Sequence, residues 1–225
     1  MDGELLVGGV VPLTTLDYPD RLASVVFLQG CNWRCVYCHN RHLQSISSAE
    51  ALPWEEVLNL LKVRRGFVDA VVFSGGEPLL QDALTEAVQE VKALGFSVGL
   101  HTSGAIPEKL AEVVHFLDWV GFDLKCSFQD YRSITGSDGS GEAARRSLGI
   151  LVSSNVDFEA RITLHESIRV ASVVEALKEA ASMGVRTVVL QKCRDKNENI
   201  VEHIIFSDKL LLEDMSKHFD RFLIR

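Results

Sequence analysis

The spacing of apolar residues alternates between two periods along this chain. Short runs rich in β-branched residues, LASVVFL (22–28), DAVVF (69–73), FSVGL (96–100), WVGFDL (119–124), DFEARITL (157–164) and VRTVVL (185–190), predict six strands. Amphipathic stretches near 54–65, 82–94, 107–116, 142–153 and 170–182 predict the helices between them, and a last helix is predicted near 207–218. Strands that are apolar almost throughout, alternating with helices, predict βαβ units and a parallel sheet buried on both faces, an α/β fold. Pro53 and Pro107 stand at helix starts, Asp82 is a candidate cap, and Gly95 and Gly184 follow helix ends. Gly136 to Gly141 reads as a loop, 191–200 as a charged excursion, and the FLIR tail as an added edge strand.

Composition narrows the class of protein. With 47% hydrophobic and 24% charged residues, the 225-residue chain is expected to form one well-cored domain. Its core would span about 20–190, with a C-terminal helix and tail in 191–225. A formal net charge of -8 argues against nucleic acid or an anionic membrane surface as partner. Met1 to Gly9 carries two acidic residues and no basic one, and no apolar run reaches the roughly 18 residues of a spanning helix, so a cytoplasmic protein is expected.

The candidate chemistry falls on the carboxyl ends of the predicted strands, where parallel α/β sheets gather ligands. After the first strand comes QGCNWRCVYCHN, with Cys31, Cys35 and Cys38 close enough to meet on one soft metal centre. Three thiolates on a 4Fe-4S cube leave one iron open, whereas adding His39 or His42 would make a Cys3His zinc site. The other two cysteines, Cys126 and Cys193, read as packed thiols. After the second strand comes Ser74-Gly75-Gly76-Glu77-Pro78, whose glycines would let the backbone approach a ligand and whose carboxylate could bind an ammonium group. Taken alone, that segment reads first as a strand-to-helix turn with a solvated acid. Asp123 and Lys125 alternate and so face one way, as an internal ion pair or as ligands for polar groups. The Arg161 fork suits a carboxylate, Tyr37 could stack on a purine or merely pack, and His101 and His165 read as hydrogen-bonded structural residues.

Together these residues resemble the radical S-adenosylmethionine (SAM) superfamily, in which a Cys-x3-Cys-x-aromatic-Cys loop follows the first strand of an incomplete (β/α)6 TIM-like barrel. Here the loop reads Cys31-Asn-Trp-Arg-Cys35-Val-Tyr37-Cys38. Asp17-Tyr18-Pro19, Tyr37-Cys38-His39-Asn40, Asp123-Leu-Lys125, Tyr131 to Gly136 and Arg161-Ile-Thr163 extend the likeness to activating enzymes of glycyl radical enzymes. Among these it is most similar to the anaerobic ribonucleoside-triphosphate reductase activating family. The resemblance implies a 4Fe-4S cluster on Cys31, Cys35 and Cys38, its open iron chelated by SAM. Gly75, Gly76 and Glu77 would hold the methionine amino group, Arg161 and Lys125 the carboxylate or ribose, and Tyr37 the adenine. Thr102, Ser103 and Asp123 would belong to the same site. It further implies reductive cleavage of SAM, hydrogen abstraction from a glycine of a partner such as anaerobic ribonucleotide reductase, and electrons from a flavodoxin or ferredoxin.

Two departures qualify the likeness. His101 stands where activators of pyruvate formate-lyase carry Asp, and no cysteine-rich insert lies between Asn40 and Pro53. A small-molecule enzyme resembling 7-carboxy-7-deazaguanine synthase is the alternative, although those usually show Cys-Asp-Thr where this chain has Cys38-His39-Asn40. The remote alternative is a zinc-stabilised binding module on Cys31, Cys35, Cys38 and His42.

Overall fold

The computed structural model describes residues 4–46, 51–194, 199–201 and 203–225. Each predicted strand is present: β2 (Ala23–Leu28), β3 (Ala70–Gly75), β4 (Ser97–Thr102), β5 (Trp119–Asp123), β6 (Asp157–Leu164) and β7 (Thr187–Arg194). They pair in parallel in that order. The helices α1 (Trp54–Arg64), α2 (Leu84–Ala93), α3 (Pro107–Val113), α5 (Ser140–Ser153) and α6 (Val170–Met183) follow the predicted stretches to within about three residues. The last predicted helix is α7 (Lys209–Ser216), and the FLIR tail forms β9 (Arg221–Ile224), parallel to β7.

Three elements depart from the sequence pattern. An additional strand, β1 (Val7–Thr14), pairs antiparallel with β2 at the sheet edge. Gly8, Gly9 and Pro12 hide it in the sequence, and its edge position with two register shifts is what lets it keep them. A short helix, α4 (Tyr131–Thr135), occupies a stretch too brief for periodicity, and α5 begins inside the expected 136–141 loop. The excursion at 191–200 continues β7 to Arg194 and returns as β8 (Ile200–Val201), antiparallel to β7, while 195–198 lie outside the described residues. Asp82 does not cap α2, which starts after Ala83, because its carboxylate pairs with Lys109 at 3.2 Å instead.

The sheet is not closed, and its two faces differ as a barrel wall requires. Val26, Leu28, Val71, Phe73, Leu100, Val120, Phe122, Ile162 and Leu190 pack outward against Leu61, Val88, Leu110, Leu148 and Leu177 of the helices. Each such fully buried Val or Leu contributes about 1.5–3 kcal/mol relative to exposure. The alternate residues face inward and form a graded column. At its base Tyr18, Ala23, Val25, Ala70, Val72 and Trp119 make a small apolar cluster. One pleat or two higher, the same inward positions carry Ser74, His101, Asp123 and Arg161.

The segment before β2 plugs that base. Tyr18 lies 5.2 Å from the Trp119 ring, and the Asp17 carbonyl meets His101 Nε2 at 2.9 Å. A nitrogen facing a carbonyl must carry the hydrogen, so His101 Nδ1 accepts from the Ser74 hydroxyl at 3.3 Å. His101 is thereby a neutral strut between plug and column. Burial, and then the Arg161 guanidinium, push its imidazole down to about 3, against the opposing pull of Asp123.

That depression sets a pH dependence. Below about pH 6.5 the unfolded chain takes a proton on His101 that the folded chain refuses, so stability falls as pH drops from 6.5 towards 3. The His101 component has a limiting slope of about 1.4 kcal/mol per pH unit. Denaturant titrations of wild type and His101→Asn across this range are expected to differ by that component. Parallel curves for the two proteins would contradict the neutral strut.

Candidate active site

The site is built on the loop that leaves β2, and three anchors hold that loop. At its root, Gly30 donates to the Leu43 carbonyl at 2.8 Å and Cys31 to Gln44 at 3.2 Å. Along one side, Arg34 and Val36 donate to the Thr135 and Ile134 carbonyls of α4, at 2.8 and 3.0 Å. Those are last-turn carbonyls that have no partner within the helix itself. As part of that same anchor, buried Trp33 meets Tyr131 of α4 edge-on at 5.9 Å, and the Tyr131 hydroxyl receives the Lys125 backbone N–H at 3.0 Å.

The third anchor is the Gly75-Gly76-Glu77 turn after β3. Gly76 donates to the Leu28 carbonyl at 2.9 Å and Glu77 to the Gly30 carbonyl at 2.8 Å. A Cβ on Gly76 would stand 2.1 Å from the Gly30 oxygen, and one on Gly75 2.4 Å from Leu28 backbone atoms. Both glycines are therefore required by the protein's own backbone, and Gly75 also has φ +115°. The close approach they allow is thus made first within the protein, at the edge of a cavity that both also line.

Glu77 is likewise held within the protein. Its side chain is buried and accepts four hydrogen bonds: from Thr102 Oγ1 at 2.6 Å, from the Ser103 N–H at 2.9 Å, from the Ser103 hydroxyl, and from the Leu79 N–H at 3.2 Å. Burial pushes its carboxyl up, and these donors oppose the shift. Glu77 locks the ends of β3 and β4 together, with Thr102 and Ser103 turned towards it.

One cavity of about 370 Å³ opens over the strand ends. Cys31, Cys35 and Cys38 line it together with Tyr37, Gly75 and Gly76. Thr102, Ser103, Asp123, Lys125 and Arg161 complete the set expected from the sequence, Glu77 lying just behind the wall. Sequence reasoning named Ser74 and Thr163 within motifs without giving them a role, and missed Gln191 and Lys192, all four of which line the cavity. Their signal was parity: each of Ser74, Thr163 and Gln191 sits two positions beyond another inward-facing residue.

Charge on the cavity wall is concentrated in one group. Asp123 accepts from Arg161 Nε and Nη2 at 3.0 and 2.8 Å, and Lys125 Nζ lies 3.3 Å from its other oxygen. Burial would raise the Asp123 carboxyl, but Lys125 and Arg161 together hold it well below the usual carboxylate range. Gly121 gives Arg161 its place, since a Cβ there would meet the guanidinium at 2.6 Å. Two cations around one carboxylate leave a net positive charge facing the cavity, suited to a second carboxylate. Ion pair and ligand-facing wall are thus the same group.

The thiols are shifted by their surroundings. Burial pushes Cys31 up to about 11 and raises Cys35 as well. Metal must therefore displace protons to bind there, as thiolate ligation always requires. Among the described residues, no three of His, Cys, Asp or Glu are gathered closely enough to hold a single metal ion. A cube meets each thiolate at a different iron and needs no such common point, so the donor set fits a cluster better than zinc. Of the two histidines considered as a fourth zinc ligand, His42 is exposed on the turn Arg41–Leu43 and does not line the cavity, whereas His39 does. Cys126 and Cys193 are buried and form no disulfide. Tyr37 stacks on His165 at 5.4 Å, its buried hydroxyl without a hydrogen-bond partner among the described residues, so one ring face is already taken within the protein.

Comparison with known proteins places this geometry. Residues 25–191 match the Radical SAM superfamily. A protein of Methanocaldococcus jannaschii named as a glycyl-radical enzyme activating enzyme is 36% identical over 165 residues, 70% of this chain and 68% of its own. The pyruvate formate-lyase-activating enzyme of Clostridium pasteurianum is 34% identical over 126 residues, 53% of each chain. The 7-carboxy-7-deazaguanine synthase of Hyperthermus butylicus is 35% identical over 124 residues, 49% of this chain and 52% of that one. The chain thus spans about two thirds of the first relative and about half of the other two. Among solved structures, QueE from Escherichia coli shares the fold with a TM-score of 0.61 at 18% identity, over 99% of this chain and 94% of that one. Among the described residues, no helix is long and apolar enough to cross a membrane. The cofactors of the superfamily are a 4Fe-4S cluster and SAM, and the thiols and charges on the cavity wall fit both. The chain belongs to the Radical SAM superfamily and, within it, to the family of glycyl-radical enzyme activating enzymes.

Proposed function

We propose that this protein installs a glycyl radical on a partner enzyme, anaerobic ribonucleotide reductase or a relative, using electrons from a flavodoxin or ferredoxin. The observation that carries this reading is the 36% identity over 165 residues to the Methanocaldococcus jannaschii activating enzyme. When bound, the cluster and SAM together supply a 5′-deoxyadenosyl radical. Cys31, Cys35 and Cys38 hold the cluster on a loop that its three anchors keep rigid. Lys125 and Arg161, balanced by Asp123, hold the methionine carboxylate, and the backbone of Gly75 and Gly76 fixes the wall beside the methionine amino group. Tyr37, Thr102 and Ser103 border the remainder of the cofactor. In the transfer the glycine Cα–H bond breaks, its hydrogen forms a C–H bond of 5′-deoxyadenosine, and the unpaired electron remains on the glycine.

The synthase likeness supports a second reading, abstraction from a small molecule. One experiment separates the two. The cluster-loaded, reduced protein is incubated without oxygen with SAM and candidate glycyl-radical enzymes. A doublet from a glycyl radical in electron paramagnetic resonance is expected with one of them, and none with the Cys35→Ala protein. SAM cleavage with no partner radical, and a new product from a small substrate instead, would overturn the activase reading.

The anchors and the charged group should fail differently. Gly76→Ala forces the turn away from Gly30 and is expected to lower iron content after anaerobic reconstitution several-fold. Lys125→Met is expected to keep its iron and to lose about ten- to a hundredfold in SAM affinity, as a charge-assisted hydrogen bond is worth about 1.5–3 kcal/mol. Iron analysis and equilibrium binding measure the two, and full iron loading of Gly76→Ala would contradict the role given to the turn.

A further inference from the structure

The cavity wall carries two neutral polar residues that the cofactor reading leaves without a task. Thr163 and Gln191 lie directly opposite each other on β6 and β7, and both line the cavity. Thr163 Oγ1 donates to Gln191 Oε1 at 3.2 Å, which fixes the amide plane. The Gln191 amide nitrogen donates to no described residue. Asn40, a second primary amide, lines the same cavity from the cysteine loop. That loop leaves β2, at the other end of the parallel run from β7.

We propose that Gln191, oriented by Thr163 and assisted by Asn40, binds the main chain of the polypeptide segment that delivers the target glycine. This deepens the activase reading and rests on it. A glycine has no side chain, so the segment around it is recognised through its peptide N–H and C=O groups. Each of those groups needs a partner on leaving water, since an unpaired one costs about 1–3 kcal/mol. A primary amide is the side-chain group that matches a peptide group as both donor and acceptor. The charged ends of SAM have Asp123, Lys125 and Arg161 to meet them, and a neutral amide held by a hydroxyl adds little to a carboxylate or an ammonium. A peptide carbonyl, in contrast, suits the free Gln191 N–H groups. Gln191 is in this account a positioning residue for the polypeptide and not for SAM.

The test uses the full chain, cluster-loaded and without oxygen, and a capped heptapeptide with uncharged side chains and a central glycine dideuterated at Cα. Peptide and SAM affinities are measured for wild type, Gln191→Met and the near-isosteric Thr163→Val, which keeps the proposal testable if the first variant folds poorly. Gln191→Met is expected to bind the peptide about five- to tenfold more weakly and Thr163→Val about threefold, the worth of one neutral hydrogen bond and of its orientation. SAM affinity should stay within about twofold in both, a split that a general loss of structure would not give. Unchanged peptide affinity, equal losses for peptide and SAM, or no peptide binding by wild type would each overturn the proposal. Deuterium in 5′-deoxyadenosine decides the activase reading separately. Selective loss of peptide binding with no deuterium transfer by wild type would retire that reading and leave the peptide site standing.

Discussion

The site depends on one close approach, the Gly76 backbone against the carbonyl of Gly30. A Cβ at Gly76 would come within 2.1 Å of that oxygen, closer than any real side chain allows. Through this contact the end of β3 grips the start of the cysteine loop, and the Glu77 N–H completes the grip at 2.8 Å. Glu77 then extends it sideways, since its buried carboxylate gathers Thr102 and Ser103 at the end of β4. The cysteines thus stand on a platform of three strand ends stitched by short hydrogen bonds. A loop positioned in this way needs no metal to find its course, which suits a cluster site that must keep one side open.

The second constraint is electrostatic. Asp123, Lys125 and Arg161 could not be placed near the barrel interior singly, because an unpaired buried charge costs several kcal/mol. Held together they satisfy one another, with one positive charge in excess at the cavity. The column beneath them is arranged to permit this: Gly121 clears the path of the Arg161 guanidinium, and Tyr18 and Trp119 close the base with apolar surface. His101 joins base and cavity while remaining uncharged, so it adds no third cation beside Arg161. The Asp17-Tyr18-Pro19 segment therefore has a structural role in closing the barrel, in addition to marking the likeness to the activating enzymes.

Much of this was legible in the sequence. Continuous apolar strands alternating with helices identified the parallel sheet, and the spacing of Cys31, Cys35 and Cys38 identified the soft-metal loop. Strand β1 was hidden because its glycines and proline are tolerable only at an edge that sequence does not reveal. Helix α4 was hidden because five residues carry no periodicity, yet its carbonyls hold the loop. Gly75, Gly76 and Glu77 were found, but not the contacts that fix them. Sequence shows that a glycine or a carboxylate is present, while only the fold shows the backbone and the pair of hydroxyls against which they are set. Thr163 was given no role and Gln191 escaped notice because neutral polar residues become conspicuous only when their pairing and their common face are known.

The central claim is that three thiolates at this mouth leave one iron open to SAM. Electron-nuclear double resonance of the reduced, cluster-loaded protein with SAM carrying 15N in its amino group measures this directly. The account predicts a resolved 15N hyperfine coupling to the cluster, expected for a nitrogen bonded to iron. A cluster signal unaltered by SAM and without 15N coupling would contradict it.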